Sequence, residues 1–413
     1  MIALITPEPL PYQHPCYLPN LCDNSDMISP SEAHRIVLHN AKLFPIETIP
    51  LQKAVGRVLR ENIISDRDQP PFNKNLMDGI AISYDTWQKG QRSFHVEAII
   101  PPGIAPKPLK SLANCVRIMT GAVVPKGCDC IIPVEQIHLE GDTAQSKDWT
   151  MIKKHQFIRP QAADGKKGEI LLKSGCRLWA PHIGIAASVG KVKIKVSALP
   201  KIAVISTGDE LVDIQKPVKQ YQTRLSNSYA LQALLNQAQL GDIEIFHLRD
   251  NPKVMLQSIK NILSKFDVLI LSGGVSMGEF DYVPQVLSQL GIKQSFHKVS
   301  QKPGKPFWFG LAKNGQAVFA LPGNPVSTQI CAYRYVIPYL KKASGLEVKQ
   351  EFIPVLDRVN IQSDLTHFLP VAQGRLITIN GSGDFASLAQ ADGFIEYESH
   401  KAQNLWPYFS WRV

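Results

Sequence analysis

No apolar run in this 413-residue chain approaches the length of a bilayer span, which takes about 20 consecutive apolar residues. An arginine-rich tract and a basic patch interleaved with aromatics are also missing, so the net charge of +10 does not mark a nucleic-acid binder. An anionic small substrate, or plain solubility, accounts for that charge equally well. The seven cysteines are scattered, and the close pair Cys128-Asp129-Cys130 has the spacing of neither a zinc knuckle nor a redox C-x-x-C. Free thiols in a reducing cytoplasm are the expectation. The opening MIALITPEPLPYQHPCYLPNL lacks a basic n-region and a continuous apolar stretch, and its prolines break helices, so no secretion signal is read there. No Ser/His/Asp set, H-E-x-x-H or P-loop lysine motif occurs. Internal repeats and extended low-complexity segments are absent as well.

What is present is an ordinary globular composition, 44% hydrophobic and 19% charged. The length exceeds one compact core, so two to four domains are expected. Residues 1–28 read as a flexible leader, with Met27 a candidate initiator. Ser29-Pro30-Ser31-Glu32 carries the signals of a helix start: a capping serine, a proline at the first position and a glutamate able to complete a capping box. Ala33, Ile36, Val37 and Leu43 then share a helical face. Residues 71–160 alternate short strand-like runs (His95–Ile100, Val116–Met119, Cys130–Val134) with Pro/Gly turns, a small β-rich module. A connecting stretch, 161–197, holds the basic turn Gly165-Lys166-Lys167-Gly168.

Residues 198–345 read differently. Strand-like Ile202–Ser206, Ile243–His247, Val268–Leu271 and Val318–Leu321 alternate with helical patterns after Asn227, from Pro252, from Asp281 and after Leu321. Such alternation predicts a parallel-rich sheet covered by helices. Residues 346–413 return to β-like patterning.

Open α/β sheets bind ligands at the carboxyl ends of their strands. Three such ends here are polar and glycine-rich: Ser206-Thr207-Gly208-Asp209-Glu210, Ser272-Gly273-Gly274-Val275-Ser276, and Pro322-Gly323-Asn324-Pro325-Val326-Ser327. Glycine lets backbone amides approach an anion, and a following helix start adds partial positive charge. Glu210, Asp250, Glu279 and Asp281 fall on the same loops, and carboxylates beside a phosphate cradle hold Mg²⁺. Asp209 or Asp281 taken singly is as readily a helix N-cap. Three polar strand ends in one sheet point to a phosphate-bearing ligand. Lys298, Lys302 and Lys305 flank a Pro/Gly turn, compact charges suited to phosphate or another oxyanion. In the β-rich module, Asn73-Lys74-Asn75-Leu76-Met77-Asp78-Gly79 and Arg117-Ile118-Met119-Thr120-Gly121 each set a polar residue beside glycine.

Taken together, PPFNKNLMDG, RIMTGAVVPKGCDCIIPVEQ, ISTGDELV, SNSYALQALL, LSGGVSMGEFDYV, KPGKPFWFG and LPGNPVS resemble, in order, the molybdopterin molybdenumtransferase family (the MoeA type, with the E domain of gephyrin). The resemblance runs from about residue 29 to 413. It implies an elongated, discontinuous linker domain from 29–70 and 161–197, the β-rich module at 71–160, an adenylyltransferase-like α/β domain at 198–345, and a β-barrel-like C-terminal domain at 346–413. It also implies a cytoplasmic homodimer, with each cleft shared by the α/β domain of one subunit and the β-rich module of the other. Adenylylated molybdopterin and molybdate would enter and molybdenum cofactor and AMP leave, with Mg²⁺ required. Molybdopterin adenylyltransferase and molybdoenzyme maturation proteins are the partners implied, with neither nucleic acid nor membrane.

By motif position the resemblance assigns catalysis to Asp78, Glu210, Asp250 and Asp281, the metal to Asp250 and Asp281, and substrate binding to Thr120, Asp164, Thr207, Asn227, Ser228, Gly273, Gly274, Ser276, Lys298, Lys302, Lys305, Pro322, Gly323, Asn324, Pro325, Ser327 and Ser382. The chain departs from the family at Asn73-Lys74-Asn75-Leu76, where Asp-Asn-Ser-Ala is usual, at Ile80 in place of tyrosine, and in a linker segment poor in arginine, Arg159-Pro160-Gln161-Ala162-Ala163-Asp164. Pro370 stands where an arginine is expected two residues after Phe368. Two other classes share the α/β loops: an adenylyltransferase, and a paralogue that binds molybdopterin or scaffolds partner enzymes.

Overall fold

The computed structural model describes residues 27–275, 281–401 and 404–412. Residues 1–26 of the expected leader, and the loop residues Ser276 and Glu279, lie outside the described residues. The chain forms a multidomain α/β architecture with several sheets. It divides into two compact units: Phe44–Ala198 with Ser344–Leu346, and Leu199–Ala343 with Glu347–Val413 and the segment before Phe44.

The larger unit is built on a six-stranded sheet. Its strands are β1 (Lys201–Thr207), β2 (Asp242–Leu248), β3 (Val268–Ser272), β4 (Lys293–His297), β5 (Trp308–Leu311) and β6 (Ala317–Leu321), in the spatial order β2-β1-β3-β6-β5-β4. The first four in that order are mutually parallel, while β5 runs antiparallel to both β6 and β4. β3 and β6 are buried at every position, as central parallel strands covered on both faces must be. The sequence reading found the four parallel strands and missed the antiparallel pair. β4 sits at the sheet edge and buries only Phe296 fully, so it reads as polar. β5 contains Gly310, whose position is fixed by the Trp308 ring and by the Lys293 carbonyl, 2.6 Å from where a Cβ would lie.

Four helices follow the polar strand ends: α1 (Ser226–Ala238), α2 (Pro252–Leu263), α3 (Val283–Gln289) and α4 (Pro325–Cys331). α2 forms for readable reasons. Asn251 accepts hydrogen bonds from the Lys253 and Val254 amides, Pro252 fills the first turn, and Met255, Ile259 and Ile262 form its buried face. That face packs with Ile205, Leu269, Leu271 and Val318 of the sheet into one core. α3 begins at Val283 rather than at Asp281, and Tyr282 occupies the N-cap position.

The helix Pro30–His39 starts as expected, with Ser29 Oγ accepting from the Glu32 amide at 3.1 Å. The capping box stays half-made, because Glu32 pairs with Arg35. Ala33 and Val37 are buried, whereas Leu43 lies past the helix end and is 60% exposed. Leu43 is therefore a correction to the expected helical face: Asn40, capping on Ile36, ends the helix first.

The same unit contains a second sheet, ordered Gln301–Lys302, Thr366–Ala372, Gly393–Tyr397, Trp406–Ser410, Glu351–Ile353, with Arg375–Leu376 also on Thr366–Ala372. Its two end strands do not pair with each other among the described residues, so the sheet runs open along this path. Gln301–Lys302 joins it in parallel, so the lysine turn belongs to both the α/β body and the C-terminal sheet. A buried ion pair, Arg334 Nε to Glu396 at 2.8 Å, crosses between α-helical and β layers.

The smaller unit carries a six-stranded sheet ordered Cys130–Pro133, Gly79–Ile82, Asn114–Ile118, Ser93–Ile100, Thr143–Ser146, Ile137–Glu140. Three two-stranded ribbons pair Ile46–Pro50 with Lys193–Ser197, Ile63–Ile64 with Ile170–Leu172, and Lys74–Asn75 with Ile158–Arg159.

Candidate active site

β1 lies at the point where the parallel order reverses, with β2 on one side and β3 on the other. A crevice of about 530 Å³ opens at the carboxyl ends of these strands, where ligand sites of doubly wound sheets form. Thr207, Glu210, Asn227, Asp250, Gly273, Gly274, Asp281, Pro322, Gly323, Asn324 and Pro325 line it. All three polar strand ends therefore converge.

Asn227, in the first turn of α1, ties two of the three ends together. Its amide nitrogen donates to Ser272 Oγ at the end of β3 at 2.9 Å and to the Gly323 carbonyl after β6 at 2.7 Å. Behind it Ser228 is fully buried and shares a 2.6 Å hydrogen bond with Ser206. Glycine is required at Gly273 and Gly274. Both have positive φ, and a Cβ on either would come within 3.0 Å of Thr207. The Thr207 hydroxyl is buried there with no hydrogen-bond partner among the described residues, an uncompensated cost unless a ligand supplies one.

The acids gather at the mouth. The Asp209 amide donates to Asp250 at 3.3 Å and the Asp250 amide to Asp209 at 3.4 Å. Burial pushes the Asp250 carboxyl above its ordinary range, and the nearby carboxylates of Asp209, Glu210 and Asp281 push it further. Unlike charges would lower it, so the crevice has a deficit of positive charge. No preassembled group of three or more metal-ligating side chains occurs among the described residues.

Other expected residues lie elsewhere. Ser327 is buried inside α4. Ser382 accepts from the Asn324 amide side chain at 2.8 Å, and its carbonyl accepts from Val326, so it braces the loop before α4. Lys302 and Lys305 are exposed on the turn and Lys298 is half-buried at positive φ. None of the three lysines lines the crevice, although Pro306 beside them does. The turn is framed from inside by Gln301, fully buried and bonded to Tyr335 and the Gly304 carbonyl. Pro370 is buried on the strand Thr366–Ala372, opposite Phe394.

Asp78, Thr120 and Asp164 belong to the smaller unit. Asp78 Oδ1 accepts from the Thr120 amide at 2.7 Å and from its hydroxyl at 2.8 Å, which holds the carboxyl below the usual range. Asp164 is ion-paired with Arg159, with the same effect. The sequence reading missed Arg224, which lines the crevice from the strand Thr223–Arg224. It followed no glycine and no strand end, so no motif flagged it.

A parallel-rich sheet with a polar, acid-lined crevice at its switch point is the arrangement that takes phosphate-bearing ligands. Residues 28–190 match the MoeA N-terminal region (domain I and II), and residues 203–342 match a probable molybdopterin binding domain. A molybdopterin molybdenumtransferase of Synechocystis is 34% identical over 399 residues, covering 93% of this chain and 100% of that protein. One from Haemophilus influenzae is 34% identical over 73% of this chain and 74% of its own length. The crystal structure of a molybdopterin biosynthesis MoeA protein from Pyrococcus horikoshii superposes with a TM-score of 0.78 at 28% identity, covering 94% of this chain and 100% of that one. The chain belongs to the molybdopterin molybdenumtransferase family.

Proposed function

We propose that this protein is the transferase itself, inserting molybdenum from molybdate into adenylylated molybdopterin with release of AMP, the last step of molybdenum-cofactor assembly. The observation that carries the reading is the acid-lined crevice joined by Asn227 at the switch point, in a chain aligned with the full length of a molybdopterin molybdenumtransferase.

The crevice suits a divalent cation. Burial and then its acidic neighbours disfavour the ionised form of Asp250, and Mg²⁺ is typically held by one or two carboxylates together with substrate phosphates. Asp250 and Asp281 would hold it, and the ion would neutralise the phosphoanhydride during cleavage. The amides of Gly274 and Gly323 and the unpartnered Thr207 hydroxyl donate to phosphate oxygens, while the Gly273 amide is held by the Leu321 carbonyl. Glu210 positions water or a proton, and Asp78 does so from the β-rich module. Thr120 keeps Asp78 ionised, and Lys298, Lys302 and Lys305 attract molybdate. Ser228 and Ser327, being buried, support the loops rather than touch ligand. The four-domain division, with its elongated linker and barrel-like C-terminal domain, the cytoplasmic homodimer and the upstream adenylyltransferase as a partner belong to the same proposal.

Purified protein given adenylylated molybdopterin, molybdate and Mg²⁺ should release AMP and reconstitute a molybdenum apoenzyme. No molybdate-dependent AMP release would sink the transferase. Product formation from molybdopterin and ATP alone would establish the adenylyltransferase instead.

A further inference from the structure

We infer that Arg224 is the phosphate clamp of the crevice, a specificity-determining contact for the phosphoanhydride of the substrate and the phosphate of the AMP it releases. The inference rests on the function proposed above and adds the residue that recognises the anion.

The charge balance at the crevice carries the argument. Among its described lining residues three are acids, Glu210, Asp250 and Asp281, and Arg224 is the one base. The lysines that the sequence placed on the anion are not among them. A nucleotide phosphate entering this crevice meets backbone amides, a cation held by carboxylates, and a single guanidinium. Arg224 is also uncommitted. Its side chain is exposed, and among the described residues it forms no ion pair, although three carboxylates line the same crevice.

Its backbone is fixed on both sides. The Thr223 amide donates to the Glu210 carbonyl at 2.9 Å, and the Leu225 amide donates to the Val212 carbonyl at 3.1 Å. Leu211–Val212 and Thr223–Arg224 thereby pair as a short parallel ribbon at the crevice wall. Leu225 is buried and leads directly into α1, whose Asn227 ties two strand ends together. The anchored backbone sets the root of this long side chain at the crevice wall, and the exposed guanidinium gives up rotamer freedom when it closes on an anion. The planar guanidinium can hold two phosphate oxygens at once, which lysine cannot reproduce.

The test is calorimetric titration of the full-length protein with AMP and with adenosine, each in Mg²⁺, alongside steady-state kinetics. A hydrogen bond to a charged group contributes about 1.5–3 kcal/mol, so Arg224→Ala should weaken AMP about tenfold to a hundredfold and raise KM more than it lowers kcat. Tm and adenosine affinity should stay unchanged, and Arg224→Lys should recover part of the loss. Arg224→Gln provides a second neutral variant if the alanine protein is unstable. Wild-type AMP affinity in Arg224→Ala and Arg224→Gln overturns the clamp while leaving the transferase intact, and so does an equal loss of adenosine binding. If the wild-type protein neither binds AMP nor releases it, the functional reading falls and the clamp with it.

Discussion

The acids of the smaller unit and those of the α/β crevice live in opposite electrostatic surroundings. In the smaller unit each notable carboxylate is satisfied at short range. Asp78 is held by both Thr120 donors, Asp164 by Arg159, Glu97 by the Lys110 amide and Asn114, and Asp68 by the Lys167 amide and Gln161. All four have carboxyl groups held below the usual range by these donors. At the α/β crevice burial and like charge act together on Asp250 and raise it. Carboxylates that accept from nearby amides, hydroxyls and guanidinium groups hold loops. Carboxylates crowded together with no cation among them carry a cost that a bound cation removes. The same residue type is thus structural scaffolding in one place and a prepared ligand site in the other, and the neighbours decide which.

Removing one member of the crowded set should have the largest effect. A cation at a phosphoryl centre supplies several kcal/mol, so Asp281→Ala should cut molybdate-dependent AMP release about a thousandfold with little loss of Tm. Unchanged turnover would reject the metal role. Mg²⁺ should raise the Tm of the wild-type protein and not that of this variant.

Asp78 is where the contrast can break. Asp78→Asn keeps an oxygen acceptor for Thr120 and removes the charge, whereas Thr120→Val removes one donor and keeps the charge. If the Asp78 carboxylate works on water, Asp78→Asn should lower kcat about tenfold to a hundredfold while Thr120→Val mainly costs about 1 kcal/mol of stability. Equal, small effects from both would reduce Asp78 to a loop support. Mixing Asp78→Ala with Asp281→Ala chains should restore activity if sites are shared across a homodimer, and no rescue would argue against that assembly.

Acid should separate the units by a smaller, graded effect. Burial, Arg334 and Lys342 lower the pKa of His34 from 6.5 to about 4. The folded larger unit resists protonating His34, while the unfolded chain accepts a proton below about 6.5. The stability from keeping His34 neutral is therefore complete above that pH and declines as pH falls towards 4, by up to about 3 kcal/mol. The lowered carboxyls of the smaller unit contribute stability above their ordinary range and lose it only as pH falls further. Hydrogen exchange followed by peptide should show the larger unit loosening first between pH 6.5 and 4, and His34→Phe should flatten that dependence. Earlier loosening of the smaller unit would contradict the assignment.

Much of the crevice was legible because glycine and proline leave marks in sequence. Gly273-Gly274 and Pro322-Gly323-Asn324-Pro325 end strands that announce themselves by continuous apolar runs. β4 left no such mark, since an edge strand need bury only one residue fully, and β5, though buried, is short and interrupted by Gly310. The lysine cluster is placed by a strand pairing that sequence proximity does not reveal. Its turn pairs with the strand Thr366–Ala372, and the lysines do not line the crevice.

By itself the sequence determined the alternation of strands and helices, the polar strand ends and, through its ordered motifs, the family. These follow from local periodicity, turn chemistry and residue identity, all of which survive in one dimension. Tertiary structure decided which acids crowd and which are satisfied, that Ser228 and Ser327 turn inward, and that Arg224 shares a crevice with Asp250 and Asp281. Those outcomes depend on distances between residues far apart in the chain, and charge acts through space, not along the backbone.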